Sequence, residues 1–148
     1  MNLRKLLSED SILLELKSTA KEDIIREMID FLVIRGRIKD REAALKAVLD
    51  REMKMSTGMQ HGIAIPHGKS DSVDKLVTAL ALKKEGVDFE SMDGKPSQIF
   101  IMTLSSISRT GPHIQFLSEI SQVLNDTEKR EALLKAETTS QALDVLTT

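Results

Sequence analysis

Cysteine is absent from this 148-residue chain, and that absence removes whole classes of chemistry: disulfide frameworks, thiolate nucleophiles and cysteine-held zinc or iron–sulfur centres. Aromatic residues are nearly as scarce, with four phenylalanines and neither tryptophan nor tyrosine, so platforms for stacking nucleobases are missing. There is no surplus of positive charge either. A total of 21 Lys and Arg against 23 Asp and Glu leaves a net charge of −2 and a pI near 5.9, without the basic footprint of a nucleic-acid binder. Long apolar runs are also lacking: no window approaches the roughly 18 apolar residues of a membrane span. The opening Met1-Asn2-Leu3-Arg4-Lys5-Leu6-Leu7-Ser8-Glu9-Asp10 turns acidic too soon for a signal peptide. These absences predict a cytoplasmic protein with no nucleic-acid partner and no membrane insertion.

What is present suffices for one core. With 41% apolar residues, a chain of this length can bury an ordinary single domain over residues 1–148. Strand and helix signals alternate along it. Ser11 to Leu16 carries the Ile-Leu-Leu of a short strand. Thr19 followed by Glu22 has capping-box spacing, and Ile24, Ile25, Met28 and Leu32 then keep helical period until Gly36, a C-terminal cap. Asp40 opens a second helix with Ala44, Leu45, Val48 and Leu49 on one face, ending near Arg51 and Glu52. Met53 to Gln60 reads as a loop leading into an apolar strand that ends at His67. Leu76 to Leu82 and Gln98 to Leu104 read as neighbouring strands joined through the turn signal Asp93-Gly94. From Pro112 the period becomes helical, with Ile114, Leu117, Ile120, Ser121 and Leu124 on a stripe, followed by a helix capped at Asp126 and a short one from Thr138 or Thr139. The expectation is an α/β fold: a mixed sheet flanked by helices.

The stretch richest in chemistry is Gly62-Ile63-Ala64-Ile65-Pro66-His67-Gly68-Lys69. A strand delivers its last side chain to the rim of a sheet, where α/β proteins keep their sites. Proline stops the strand, Gly68 permits close approach by a partner or a phosphoryl group, and an imidazole leaves a neutral nucleophile near pH 7. The residues alone leave two readings of His67, a rim residue or a nucleophile. They also leave open a metal site on His61, His67 and His113, although a regular strand separates His61 from His67 by about 20 Å.

Ser56-Thr57-Gly58-Met59 followed by Gly62-Ile63-Ala64-Ile65-Pro66-His67-Gly68 resembles the phosphoacceptor signature of the fructose/mannitol-type enzyme IIA family of the bacterial phosphoenolpyruvate-dependent phosphotransferase system. That family includes stand-alone nitrogen-regulatory enzyme IIA proteins. The resemblance extends over Asp93-Gly94 and His113-Ile114-Gln115-Phe116-Leu117, and so nearly the whole chain. It implies a phosphocarrier without cofactor or metal. His67 is the implied acceptor, receiving a phosphoryl group from the histidine protein HPr or its nitrogen-branch paralogue. It either passes the group to a IIB component, as in sugar transport, or holds it as a signal to regulated targets. Arg51 and His113, matching the family's second and third active-site groups, are implied to stabilise the phosphoryl oxygens. Lys69 adds a nearby positive charge outside that set. Two departures stand at Gln60 and His61, where the first replaces a usual glycine or alanine, and they predict a bulkier loop beside the acceptor. The lack of an attached IIB or IIC segment favours a separate polypeptide with a regulatory role. The alternatives are a histidine-based metal-binding module and an interaction domain that no longer takes phosphate.

Overall fold

A five-stranded mixed sheet divides the interior into two apolar layers. The computed structural model describes residues 3–147; Met1, Asn2 and Thr148 lie outside the described residues. In chain order the elements are α1 (Leu3–Leu6), a short 3-10 turn (Glu9–Ser11), β1 (Ile12–Leu13), α2 (Lys21–Ile34), α3 (Arg41–Lys54), β2 (Ile63–Ala64), β3 (His67–Lys69), β4 (Val77–Val87), β5 (Ser97–Ser105), α4 (Gly111–Leu124), α5 (Thr127–Lys135) and α6 (Thr139–Thr147). Strands β4 and β5 are antiparallel and form the centre. β1 adds in parallel to β4, and β2 and β3 follow one another in parallel along the far edge of β5. None of the described helices is long and apolar enough to cross a membrane.

Alternation along the central strands builds both layers, because successive side chains leave opposite faces of a sheet. Ala79, Ala81, Phe100, Met102 and Leu104 meet Ile24, Ile25, Met28 and Leu32 of α2 and Ala44 and Val48 of α3. Leu80, Leu82, Ile99 and Ile101 meet Phe116, Ile120 and Leu124 of α4, with Leu133, Ala142 and Leu146 beyond. Each large side chain fully buried this way contributes about 1.5–3 kcal/mol.

The helix boundaries follow local chemistry. Asp40 caps α3, its side chain accepting from Ala43 N–H at 3.1 Å, and Asp126 caps α5 by accepting from Glu128 N–H. Gly36, at φ 74°, closes α2: its N–H reaches Val33 O and that of Arg37 reaches Leu32 O, the paired bonds of a Schellman end. Other expectations fail. Thr19 caps nothing, since α2 starts from Ala20 without a side-chain bond. The preceding chain is instead tied one turn higher, where the Glu27 carboxylate accepts from Lys17 N–H and Ser18 N–H. Regular pairing at Ser11 to Leu16 is confined to Ile12–Leu13, although Leu16 N–H still reaches Leu82 O. Helix α3 runs on to Lys54, past Glu52.

The apolar run before His67 is not a single strand. β2 stops at Ala64 and β3 begins at His67, so the histidine opens a strand rather than closing one. Between them Ile65 N–H turns to Thr57 O, and Thr103 N–H reaches back to Pro66 O. The following glycine serves packing, not phosphoryl access. A Cβ at Gly68 would lie 2.9 Å from Ala47 C and 3.0 Å from Val48 N, so β3 rests directly on the backbone of α3. Gly68→Ala should therefore cost about 1–3 kcal/mol, typical of overpacking. A denaturant midpoint equal to the native protein's would show that the two elements can part without loss.

Candidate functional site

The loop into the site is fastened at the end of α3. Glu52 is buried at 7% exposure, and its carboxylate accepts from Thr57 N–H and from the Thr57 hydroxyl while pairing with Lys21 Nζ at 3.1 Å. That ammonium also lies 5.0 Å from the centroid of the Phe89 ring. Removing one partner of a buried pair typically costs about 3–5 kcal/mol, whereas exposed pairs such as Lys46–Asp50 are screened by water. Of these, the Glu52 pair is the one that shapes the loop. Next, Gln60 to Ile63 forms a tight turn: Ile63 N–H reaches Gln60 O, with φ of 63° at His61 and 74° at Gly62, the signs of a type I′ turn.

Past Pro66 the chain presents His67. Its Nδ1 lies 2.8 Å from the carbonyl oxygen of Ile65. A carbonyl can only accept, so in the neutral ring Nδ1 carries the hydrogen and Nε2 holds the free lone pair. The half-buried ring thus offers one nucleophilic nitrogen.

Opposite stands His113, buried at 9% exposure in the first turn of α4. The two imidazole centroids are 5.4 Å apart and the rings are tilted by 36°. Thr103 joins them. It faces His67 across the parallel pair, and its fully buried hydroxyl lies 3.0 Å from His113 Nδ1. Burial holds the His113 pKa below the usual 6.5, with His67 and Lys69 nearby adding to the effect. The charge of Lys69, on the same face of β3 as His67, therefore reaches the site. Ser105, one step beyond Thr103 on the same face, has a buried hydroxyl without a hydrogen-bond partner among the described residues.

The structure thus brings the rings of His67 and His113 together, whereas His61 precedes β2 and so lies earlier along the edge of β5, and Arg51 is engaged elsewhere. The Arg51 guanidinium donates to Met55 O at 2.7 Å, satisfying the end of its own helix, and among the described residues no hydrogen bond links it to either histidine. Gln60 and His61 are exposed and line a cleft with Ile120, Ser121, Leu124 and Asn125, the C-terminal half of α4, whereas His113 stands in its first turn. Among the described residues, no group of three or more His, Cys, Asp or Glu is placed to hold a metal ion. Sequence reasoning missed Thr103 and Glu52. Thr103 looks like any β-branched strand residue, and the only available signal for Glu52 was an acidic residue at a helix end just before Thr57.

Because the lowered pKa of His113 comes mainly from burial, the unfolded chain takes up that proton first as pH falls. The stability owed to neutral His113 is therefore complete above about 6.5 and is lost as pH drops toward the folded-state value. An NMR titration should place His113 below 6.5, and His67→Gln should move it back upward. A His113 midpoint at or above 6.5 would contradict the geometry.

Comparison with known proteins bears on the family of the chain. The family model described as phosphoenolpyruvate-dependent sugar phosphotransferase system, EIIA 2, matches residues 5–148. The chain is 42% identical over 135 residues to the PTS system fructose-specific EIIA component of Haloferax volcanii, covering 91% of this chain and 88% of that one. It is 38% identical over 146 residues to the PTS system fructose-specific EIIABC component of Bacillus subtilis, covering 99% of this chain but only 23% of that longer protein. Among solved structures, the nitrogen regulatory protein IIA-Ntr from Neisseria meningitidis superimposes with a TM-score of 0.89 at 26% identity, covering 98% of this chain and 99% of that one. The enzyme IIA of the Escherichia coli complex of IIAMTL with phosphorylated IIBMTL does so with a TM-score of 0.81 at 27% identity, covering 95% and 96%. With the family model spanning nearly the whole chain and two relatives above 30% identity, this protein belongs to the EIIA type 2 family of the phosphoenolpyruvate-dependent sugar phosphotransferase system, whose members are phosphocarriers.

Proposed function

We propose that the whole chain, residues 1–148, acts in the cytoplasm as one phosphocarrier unit in which Nε2 of His67 is the phosphoacceptor. HPr or a paralogue is the donor, and a IIB component is the receiver. The observation that carries this reading is the bond from His67 Nδ1 to the Ile65 carbonyl, which leaves Nε2 as the nucleophile. In the transfer, the P–N bond of the donor phosphohistidine breaks as a new P–Nε2 bond forms. The donor ring keeps the released electron pair, and the hydrogen of His67 stays on Nδ1, donated to the Ile65 carbonyl oxygen.

Little else is asked of the protein. Phosphoryl transfer passes through a loose, in-line transition state, so catalysis consists of positioning and of stabilising charge on the equatorial oxygens. His113 is close enough to contribute a donor, with its ring centroid 5.4 Å away. Its setting at the start of α4 supports the role, since there is no acidic residue in the first turn and Thr110 makes no side-chain cap, so free N–H groups favour an anion. Lys69 adds charge. Arg51 contributes by exchanging the Met55 carbonyl for a phosphoryl oxygen, a bidentate geometry that guanidinium suits.

The receiver is inferred from the relatives: higher identity to the fructose-specific proteins than to the nitrogen regulatory structure supports relay over signalling alone. The metal-binding alternative is not favoured, because His61 lies apart from the other two histidines.

Incubation with phosphoenolpyruvate, enzyme I and HPr should add one acid-labile phosphoryl mass to the intact protein and none to His67→Ala. Phosphate on His61 or His113 of the native protein would end this assignment. In single-turnover transfer from phosphorylated HPr, His113→Ala and Arg51→Ala should each be slower by about 10²–10³, the usual cost of one oxyanion donor. Arg51→Ala transferring at the native rate would make Arg51 a helix-end residue only.

A further inference from the structure

We infer that Thr103 is a positioning residue for phosphoryl transfer: its hydroxyl donates to His113 Nδ1, holding the ring so that Nε2–H is the donor offered to the phosphoryl group. The inference rests on the phosphocarrier reading for its functional half and on geometry alone for its structural half.

The direction of the bond follows from counting donors and acceptors. The Thr103 hydroxyl is fully buried, and among the described residues its one hydrogen-bond partner is His113 Nδ1, at 3.0 Å. If Nδ1 carried the ring's hydrogen, the hydroxyl would have to accept, and its own hydrogen would be left buried without a partner, which proteins avoid. The arrangement with no orphan has Thr103 donating and Nδ1 accepting. A neutral imidazole has one N–H, and the bond at one nitrogen fixes the other. The hydrogen is therefore on Nε2.

The two histidines are thereby set oppositely by their neighbours. The Ile65 carbonyl, which only accepts, leaves His67 Nε2 bare. The Thr103 hydroxyl, which donates, leaves His113 Nε2 protonated. A pair of bare nitrogens would repel the oxygens of an incoming phosphoryl group, and a pair of protonated ones would have no nucleophile. Thr103 also fixes the spacing, because its backbone N–H holds the Pro66 carbonyl immediately before His67 while its side chain holds His113.

Thr103→Val keeps the shape and the backbone N–H but deletes the donor, and Thr103→Ser keeps the donor. ¹⁵N NMR of the unphosphorylated native protein, above the His113 titration, should show Nε2 protonated and Nδ1 bare and hydrogen-bonded. In Thr103→Val that hydrogen-bond signature should vanish. Transfer from saturating phosphorylated HPr should then fall by about tenfold, less than the loss of an entire donor, with the half-saturating HPr concentration unchanged. Thr103→Ser should restore both signals. Native His113 protonated on Nδ1 overturns the inference even if the valine variant fails to fold. So does Thr103→Val transferring at the native rate, or a folded Thr103→Ser that remains slow. Because the NMR signature needs no phosphate, its presence in a protein that never accepts phosphate on His67 would refute the carrier reading and leave the bond standing.

Discussion

Pro66 has no N–H to give to the sheet, and the site depends on how the edge of β5 absorbs that gap. In a continuous strand, residues two apart lie about 6.6 Å from one another, too far for an imidazole to turn back on the earlier carbonyl. Here the chain bows outward between Ala64 and His67, with Ile65 N–H held by Thr57 O and Pro66 O held by Thr103 N–H. The bow brings the Ile65 carbonyl to 2.8 Å from His67 Nδ1. One proline therefore both breaks the edge and selects which nitrogen of the next residue is free. The rest of the local structure secures the bow: the buried Glu52 carboxylate holds Thr57 from one side, and Gly68 lets β3 settle on α3 from the other.

Charge is distributed unevenly around this frame. The desolvated ion pair, Lys21 with Glu52, is used to fasten a loop, while burial of His113 favours the neutral form of that ring. A partly dry site is strongly responsive to an arriving anion, because each unsatisfied N–H and each nearby cation acts through less screening than in water.

Much of this was legible in the sequence. The caps at Asp40 and Asp126, the closing Gly36 and the central pair of apolar strands follow local rules, and those rules held. The acceptor segment was conspicuous because proline and glycine beside a histidine are hard to place in an ordinary strand. The departures have a shared origin in tertiary competition. On α4 the apolar period of the sequence runs through Ile114 and Leu117, yet Ile114 is 64% exposed and the buried row is His113, Phe116, Ile120 and Leu124. A pattern that counts histidine as polar cannot see that its partner, Thr103, waits inside the sheet. Thr19 caps nothing because α2 starts from Ala20, after Glu27 has tied the chain at Lys17 and Ser18, a contact that a short-range motif does not include. Thr103 gave no signal at all, because its importance lies in register with His67 and in the approach of a helix ten residues away.

The edges of the sheet bear on how such a protein meets others. β1 and β2 are two residues long and β3 is three, and the break at Pro66 divides the edge that β2 and β3 form along β5. Edge strands this short offer little ladder on which a visiting chain can add a strand. Association must then proceed through side chains on a fixed surface, with little backbone pairing to be undone at departure. A molecule that has to meet one partner, release it and meet the next is well served by a perimeter to which little can be stitched.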